Sequence, residues 1–445
     1  LAGLCGGTPP GTVSTAGHPG ALAASLLYLS WTLTEMGQKA PRLEPGDEWP
    51  SPLVNTHALC YNLDMRKTFK YRLYPTPAQV RRLEQHLEEC RWLYNHLLAE
   101  RRDAWEQRQE SVRLYDQHAE LPALKAERPS LAGVQSQVLQ NVAVRIDLAF
   151  QAFFRRVKAG EKEPGYPRFR GQGRYDSITF PQVPVGCKLE TGTGRLYVMN
   201  VGRIKLVYHR PLEGTPKTAT IRRSSTGKWY VSFSCECAEP APLPPTSQQV
   251  GVDMGLTTFA MLSTRQAIAN PRFFRQEEKA LAKAQRRLSK AEKGTPERAA
   301  RRTVVARVYE RTTWRRSDFT HQHSRRIVNA FDLIAVEDLS VNRMVHNHCL
   351  AKSIHDAAWS QFADLLSYKA AWAGRKYVAV NPAYTSQDCS QCGHRQVLSL
   401  SDRVYTCPCC GVVLDRDLNA SLNILGVGLH TLGLAPRSSR IYPGE

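Results

Sequence analysis

The sequence is short of acidic residues and has no long apolar run. It holds 40 Asp and Glu against 60 Lys and Arg in 445 residues, which gives a formal charge of +20. Such an imbalance favours a polyanionic partner, with nucleic acid first. The apolar run from Ala21 to Leu33 is too short to cross a bilayer, and no basic residues precede it. We therefore expect neither a membrane protein nor a secreted one.

The chain also lacks an evident Cys-His or Ser-His arrangement for covalent catalysis. Its twelve cysteines are spread unevenly, and five of them fall between Cys389 and Cys410. Paired cysteines in a basic protein indicate a metal site in a reducing compartment rather than a set of disulfides. Cys235 and Cys237 alternate along an apparent strand, so we expect them to be packed in a core.

Residues 1–64 differ from the rest of the chain. They are rich in Gly, Pro, Ala and Thr and carry two basic against five acidic residues, a net charge of −3, so that the remainder carries +23. Basic and alternating sequence begins at Met65. Our hypothesis is that Met65 is the natural start and that residues 1–64 are disordered or non-native.

The region after Met65 predicts a strand, two helices and then a series of strands. Alternation predicts a strand over Thr68–Tyr74, and helical spacing of apolar residues predicts helices from Pro77 to Glu100 and from Ser136 to Lys158. Residues 178–237 alternate with turns, which indicates a small antiparallel barrel. The loop 164–170 interleaves basic and aromatic residues, which suits nucleic-acid stacking, although a rigid surface loop with inward aromatics remains an equal alternative.

Three acids stand at the ends of predicted elements. Asp253 follows the apolar run 250–252, Glu337 follows the apolar run 333–336, and Asp417 opens a helix. Singly, each has a plain structural explanation: Asp253 belongs to an Asp-x-Gly turn, and Asp417 could be an N-cap. Together, the order strand, strand, helix predicts a two-metal phosphodiesterase centre, with two Mg²⁺ ions or Mn²⁺ in their place.

Two cysteine pairs predict a second metal site. Cys389-x-x-Cys392 and Cys407-x-x-Cys410 are separated by fourteen residues, and each pair is followed by glycine. This spacing is typical of one structural Zn²⁺ bound by four thiolates. Cys409 fits the spacing less well and is interpreted as a bystander.

The stretch between the first two acids is strongly basic. Residues 275–326 contain sixteen Lys and Arg against six Asp and Glu, a net charge of +10. Part of this stretch must be solvated, salt-bridged helix surface, but the excess favours contact with a nucleic-acid backbone.

These motifs resemble one protein family, TnpB (OrfB), found in insertion sequences and related to type V CRISPR effectors. The resemblance runs from about Met65 to Leu425. It rests on Val252-Asp253-x-Gly255, Val336-Glu337-Asp338-Leu339, Tyr384-Thr385-Ser386-Gln387-x-Cys389, Cys407-Pro408-x-Cys410-Gly411 and Asp415-Arg416-Asp417-x-Asn419-Ala420.

The resemblance implies a multidomain α/β protein. Its RNase H-like (RuvC) nuclease core would be interrupted by a zinc ribbon and preceded by a small β-barrel (wedge) with an inserted helical recognition lobe. The implied parts are 65–76 (first wedge strand), 77–172 (recognition lobe), 173–245 (wedge barrel and linker), 246–385 (nuclease, with a basic helical insert at 273–330), 386–412 (zinc ribbon), 413–430 (last nuclease segment) and 431–445 (tail).

The resemblance also implies an activity, partners and site residues. The activity would be RNA-guided cleavage of double-stranded DNA beside a short flanking motif. A guide RNA from the transposon end would be one partner, and the element's transposase is a further candidate. Catalysis would fall to Asp253, Glu337 and Asp417, and zinc binding to Cys389, Cys392, Cys407 and Cys410. Nucleic-acid contacts would come from Arg168, Arg170, Arg315 and Arg316, with Gln140 where the family places a flanking-motif reader.

Three other functions remain open at this stage. The chain could be a nuclease-inactive, RNA-guided repressor, a transposase-type enzyme that joins DNA strands, or a structural zinc-ribbon protein that binds RNA. The three acids argue against the first and the third, and the zinc ribbon inside the core argues against the second. From the implied function we expect a cytoplasmic, nucleoid-associated protein of a bacterium or archaeon.

Overall fold

Residues 65–399 and 402–434 are described by the structure, which is a computed structural model. The expectations for residues 1–64 and for the tail beyond residue 434 lie outside these described residues. The chain forms two compact units, one of residues 85–175 and one of residues 65–84 with 176–434. Within the described ranges, no helix is both long enough and apolar enough to cross a membrane.

The first unit is helical. It contains most of α1 (Pro77–Arg108), followed by α2 (Leu114–Glu127), a 3₁₀ turn (Pro129–Gly133) and α3 (Ser136–Lys158). The sequence prediction for α3 is confirmed at both ends, whereas α1 ends at Arg108 rather than Glu100. Buried side chains of these helices form the core, among them Leu93, Leu97, Leu124, Leu139, Val142 and Ile146. Gln117 is fully buried in this core and donates to the carbonyl of Leu97 at 2.8 Å.

The second unit contains a seven-stranded antiparallel sheet. Its strands are β1 (Met65–Tyr74), β2 (Ser177–Phe180), β3 (Cys187–Glu190), β4 (Arg195–Val198), β5 (Gly202–Leu206), β6 (Thr215–Arg223) and β7 (Trp229–Cys237). Their order is β2-β6-β7-β1-β5-β4-β3, so β1 pairs with β7 although the helices above separate them in sequence. Cys235 is buried, as expected for a core residue, whereas Cys237, the last residue of β7, is only half-buried, so the prediction for Cys237 is wrong. Closure of this sheet into a barrel stays a prediction.

A five-stranded mixed sheet follows in the same unit. It contains β8 (Gln249–Asp253), β9 (Thr258–Leu262), β10 (Ala267–Ala269), β11 (Leu333–Glu337) and β12 (Lys376–Val380), in the order β10-β9-β8-β11-β12. β8, β11 and β12 are parallel, and β9 and β10 are antiparallel to their neighbours.

Helices connect these strands and follow them. α4 (Phe273–Lys290) and α5 (Pro296–Ala330) lie between β10 and β11, and α6 (Val341–Met344), α7 (His348–Ala357) and α8 (Trp359–Trp372) lie between β11 and β12. The last elements of the described residues are a two-stranded hairpin, β13 (Val404–Thr406) with β14 (Val413–Asp415), and α9 (Arg416–Thr431).

The five-stranded sheet is buried on both faces. All five residues of β11 are buried, which explains its continuous apolar run. One face packs on α9 through Leu333, Ala335, Val378, Val380, Ile424, Leu425 and Leu429. The other face packs on the end of α5 and on α8, through residues that include Ile334, Val336, Ile327, Val328, Phe362 and Leu366. The sheet therefore forms the middle layer of three.

Gly251 allows α9 to approach β8 closely. A Cβ at Gly251 would lie 2.0 Å from the Ser421 carbonyl oxygen and 2.7 Å from the Leu425 backbone nitrogen. Both neighbours are backbone atoms of α9, so a side chain here would require the helix to move.

We expect Gly251→Ala to destabilise the second unit by roughly 2 kcal/mol, because α9 must move away from the sheet. Gly426→Ala, on α9 itself, is the matched control: a Cβ there meets nothing within 4 Å, and alanine is the better helix former by about 1 kcal/mol. Thermal unfolding of both variants measures the difference. Equal melting temperatures for the two would contradict the close packing of α9.

Candidate functional site

Asp253 and Glu337 end two adjacent parallel strands. β8 and β11 pair residue by residue, and Val252 lies opposite Val336. Each acid is the next and last residue of its strand. Carboxyl ends of parallel strands meet at one edge of a sheet, where ligands commonly bind. The pairing therefore brings the first two predicted acids together at that edge.

Asp417 reaches the same edge from the first turn of α9. The N-cap of this helix is Asp415, whose side chain accepts from the backbone nitrogens of Asp417 at 2.9 Å and Leu418 at 3.1 Å. The alternative that Asp417 is itself the N-cap is therefore wrong. Asp417 Oδ2 lies 3.9 Å from where a Cβ of Gly255 would be, so its carboxylate approaches the turn that follows Asp253.

The pKa values of all three acids are raised, and that of Asp253 is raised in part by the other two. Burial raises the pKa of Asp253 well above its ordinary value, and the charges of Glu337 and Asp417 raise it further. Burial also raises the pKa of Glu337, against a hydrogen bond from Thr385 that lowers it. For Asp417, burial and the charge of Asp415 raise the pKa. A bound cation would relieve this repulsion.

We expect Asp253→Asn to stabilise the protein in buffer without added divalent cation. A carboxyl group whose folded-state pKa is raised destabilises the fold as the pH rises above its unfolded value, about 3.9. The stability gain of the variant should therefore grow as the pH rises from about 5 to about 8. Thermal unfolding across this pH range is the measurement.

Glu239→Gln serves as the control for this prediction, because Glu239 is exposed in the linker after β7. The control should follow the unchanged protein at every pH. A pH-independent difference for Asp253→Asn would contradict the mutual repulsion described above.

The four predicted zinc ligands lie together. One ligand atom from each of Cys389, Cys392, Cys407 and Cys410 falls within 4.8 Å of the others. The Cys389–Cys410 and Cys392–Cys407 sulfur distances are 3.6 and 3.4 Å. Tetrahedral zinc with bonds of about 2.3 Å would separate sulfurs by about 3.8 Å, so the residues fit this ion.

The two turns that hold these cysteines have matching hydrogen bonds. The nitrogen of Gly393 donates to the carbonyl of Cys389, and that of Gly411 to the carbonyl of Cys407, at 2.9 and 3.0 Å. Both glycines have φ near +70°, a conformation that disfavours other residues. The backbone amide of His394 lowers the pKa of Cys392 to about 6, whereas burial raises the pKa of Cys389 to about 12.

Replacing one of the four cysteines should abolish zinc binding, whereas replacing the exposed fifth should not. We expect Cys407→Ser to lose its bound zinc and to melt at lower temperature, because four-thiolate sites stabilise small ribbons. Cys409→Ser, two residues away, should keep one zinc per chain. Elemental analysis of the purified proteins gives the stoichiometry. Zinc loss in Cys409→Ser would show that the ligand set is wrong.

The predicted nucleic-acid residues of the helical unit are exposed. Arg168 and Arg170 lie on the loop after α3, and Gln140 lies on α3 itself. The guanidinium of Arg170 lies 5.4 Å from the ring centre of Tyr94. In the same loop, Tyr166 packs edge-on against Phe150, and Tyr166 and Phe169 are both about half exposed. Stacking of this loop on a nucleic acid therefore stays a prediction.

The two predicted arginines of α5 differ in their surroundings. Arg315 is exposed and lies 3.6 Å from Glu277. Arg316 is half-buried and donates to the carbonyl of His355 at 2.8 Å. Arg315 is therefore exposed but paired with Glu277, whereas Arg316 holds α5 against α7. Contact of either arginine with a nucleic acid stays a prediction.

Sequence reasoning did not assign a role to Thr385. Its hydroxyl donates to Glu337 Oε1 at 2.6 Å, and the residue is buried. The signal available in the sequence was its position four residues before Cys389, in a segment already singled out for family resemblance.

Three family models match parts of the chain. One described as "Probable transposase" matches residues 232–348, one described as "Cas12f1-like, TNB domain" matches residues 359–424, and one described as "Helix-turn-helix domain" matches residues 65–110. In this last range the structure has a strand and one continuous helix, so the geometry there is not a helix-turn-helix pair.

Curated relatives match most of the chain. A Streptomyces pristinaespiralis protein named "Putative RNA-guided DNA endonuclease" is 36% identical over 82% of this chain and 90% of its own. The Escherichia coli protein "Putative RNA-guided DNA endonuclease InsQ" is 28% identical over 81% of this chain and 92% of its own. Among solved structures, a Cas12f1–sgRNA–target DNA complex covers 81% of this chain and 99% of its own at 16% identity, with a TM-score of 0.33.

Proposed function

This chain belongs to the TnpB (OrfB) family, and we propose that it is an RNA-guided DNA endonuclease whose nuclease centre is formed by Asp253, Glu337 and Asp417. A relative carrying the name RNA-guided DNA endonuclease shares 36% of its residues with this chain over nearly its whole length. The parallel pairing of β8 with β11 is the observation that supports the assignment of the centre. Each of these strands ends on an acid, and the pairing places the two ends side by side.

The residues of the acid cluster fit divalent cations. Mg²⁺ prefers carboxylate oxygens, water and phosphate. Among the described residues, the four cysteines are the one group of ligand atoms that lie close enough together to hold a single ion. For the three acids we propose a pair of ions about 3.5–4 Å apart. Such a pair, when bound, stabilises the attacking and leaving oxygens of an in-line phosphodiester displacement.

Neighbouring residues of the chain hold the acids of this centre in position. Thr385 holds one oxygen of Glu337, and Asp415 fixes the first turn of α9 and thereby the position of Asp417. Burial of Asp253 among like charges keeps a cation strongly preferred there. The mixed sheet with a helical layer on each face supports the RNase H-like (RuvC) assignment of this part, and the four-cysteine cluster supports a zinc ribbon inserted before its last helix.

The remaining parts would serve the guide RNA and the DNA. In RNA-guided enzymes, base pairing reads the target sequence, and the protein reads geometry, backbone and a short flanking motif. The basic helices 273–330, with exposed Arg315, suit the backbone of the nucleic acids. In our proposal, Arg168, Arg170 and Arg316 add further contacts, Gln140 reads the flanking motif, and the seven-stranded sheet is the wedge into which the recognition lobe is inserted.

Cleavage of a plasmid library tests this function. Protein purified with the transcript of its element's right end is given a guide-matched target beside randomised flanking bases, with Mg²⁺. We expect cuts that require the RNA and Mg²⁺ and that select one flanking motif. Asp253→Ala should abolish cleavage but keep guided binding, because the variant loses a metal ligand and no binding surface.

Glu239→Ala is the matched control, since Glu239 is an exposed carboxylate in the linker after β7. This variant should cut like the unchanged protein. Guided binding without any cleavage would favour a repressor, and joined rather than cut DNA would favour a strand-transfer enzyme. Cleavage without RNA would overturn the guided mechanism.

A further inference from the structure

A short segment, residues 385–390, connects the acid cluster to the four-cysteine cluster, and we refer to it as the strap. At its start, the hydroxyl of Thr385 donates to Glu337 Oε1 at 2.6 Å. Near its end lies Cys389, the first of the four clustered cysteines. The strap therefore has one end on a carboxylate of the proposed nuclease centre and the other on the proposed zinc site.

Two asparagines of α9 hold the strap along its length. Asn423 Nδ2 donates to the carbonyls of Thr385 and Asp388, at 2.8 and 2.7 Å. Asn419 Nδ2 donates to the carbonyl of Asp388 at 2.8 Å, and its Oδ1 accepts from the nitrogen of Ser390 at 2.9 Å. Residues four apart share one face of a helix, so both amides reach the same segment.

Asparagine destabilises the interior of a helix, so the hydrogen bonds of these two residues indicate what role they have. Asn419 is fully buried. A buried amide destabilises a fold unless its hydrogen bonds are made, and asparagine is a weak helix former. Here both ends of the Asn419 amide are satisfied by the strap. The two residues thus tie the strap to the helix rather than support the helix itself.

The same helix also carries Asp417. α9 presents Asp417 in its first turn, and Asn419 and Asn423 follow two and six residues later. α9 therefore positions two of the three proposed metal ligands. Asp417 belongs to the helix itself, and Glu337 is held by the strap, which is hydrogen-bonded to the helix. Ordering the cysteine end of the strap would order Glu337 relative to Asp417.

Thr385 is the residue through which the strap contacts Glu337. Its single hydroxyl proton has two acceptors within reach, Glu337 Oε1 at 2.6 Å and the carbonyl of Pro382 at 3.1 Å. The shorter bond goes to the carboxylate. A strap displaced toward the second acceptor would release Glu337 to rotate.

We propose that the four-cysteine site acts, through the strap, as a positioning element for the acid cluster, with Thr385 and Asn419 as positioning residues. A metal ion in the cysteine site fixes Cys389 and with it the strap, and Thr385 then holds Glu337 in the orientation that binds a divalent cation. The inference rests on the proposed function in one respect, namely that the three acids bind such a cation.

This coupling has an expected size and must be reciprocal. Hydrogen-bond partners of metal ligands typically change metal affinity about 10–100-fold when removed. By linkage, a cation in the acid cluster must tighten zinc in the cysteine site by the same factor that zinc tightens the cation. A strap that merely stabilises the fold would show no such reciprocity.

The test uses the full-length, zinc-loaded protein and Mn²⁺ as the probe, with binding followed by electron paramagnetic resonance. We expect Thr385→Val to weaken Mn²⁺ binding about tenfold, and Thr385→Ser, which keeps the hydroxyl, to restore it. Thr431→Val is the matched control, because the hydroxyl of Thr431 bonds only within α9, to the carbonyl of Val427. Thermal unfolding checks that each variant is folded.

A second measurement follows zinc release to a chromogenic chelator with and without Mg²⁺. In the unchanged protein and in Thr431→Val, Mg²⁺ should slow zinc release severalfold, and in Thr385→Val it should not. Equal Mn²⁺ affinity in all four proteins, with zinc release indifferent to Mg²⁺, would overturn the inference and leave the proposed function intact. Mn²⁺ binding that survives Asp253→Ala would instead remove the proposed metal site, and the inference with it.

Discussion

The parallel pairing of Gln249–Asp253 with Leu333–Glu337 is the contact on which the rest of the site depends. It forces two carboxylates to one edge of a sheet that is buried on both faces. Like charges so placed destabilise the fold, and burial increases that cost, as the raised pKa of Asp253 shows. The surrounding structure stabilises the two carboxylates in these positions and lets them form part of a site.

Helix Arg416–Thr431 is a main part of that surrounding structure. It rests so closely on the first strand of the sheet that Gly251 has no room for a side chain, and its apolar face packs on the neighbouring strands. Its capped first turn delivers the third carboxylate, and its asparagines hold residues 385–390. One helix therefore supplies packing, a proposed ligand and the connection to the cysteine cluster. Its displacement would disturb all three at once.

Part of the fold could be predicted because two strands of the five-stranded sheet, Gln249–Asp253 and Leu333–Glu337, are apolar runs that end on an acid. The same holds for helix Ser136–Lys158, whose amphipathic spacing is regular and whose bounds the structure confirms. Helix Leu114–Glu127 was not predicted, since it contains Pro122 and buries few residues. Local sequence also could not decide whether Asp415 or Asp417 caps the helix, because aspartate, a common N-cap residue, occurs at both positions.

The long-range contacts of the site were beyond local pattern. Nothing in the sequence around Thr385 indicates that its hydroxyl meets Glu337, because that contact depends on how the segment after Val380 folds back over the sheet edge. Pairing of the zinc ligands, in contrast, followed from spacing alone, since two short turns with glycine leave few other arrangements.

The central claim is that Asp253, Glu337 and Asp417 together hold the divalent cations of a nuclease. Anomalous diffraction from crystals of the protein with guide RNA and target DNA, grown with Mn²⁺, tests it most directly. The account predicts two manganese peaks about 3.5–4 Å apart, coordinated by these three carboxylates beside the target strand. Manganese bound elsewhere, or none at this sheet edge with DNA in place, would contradict it.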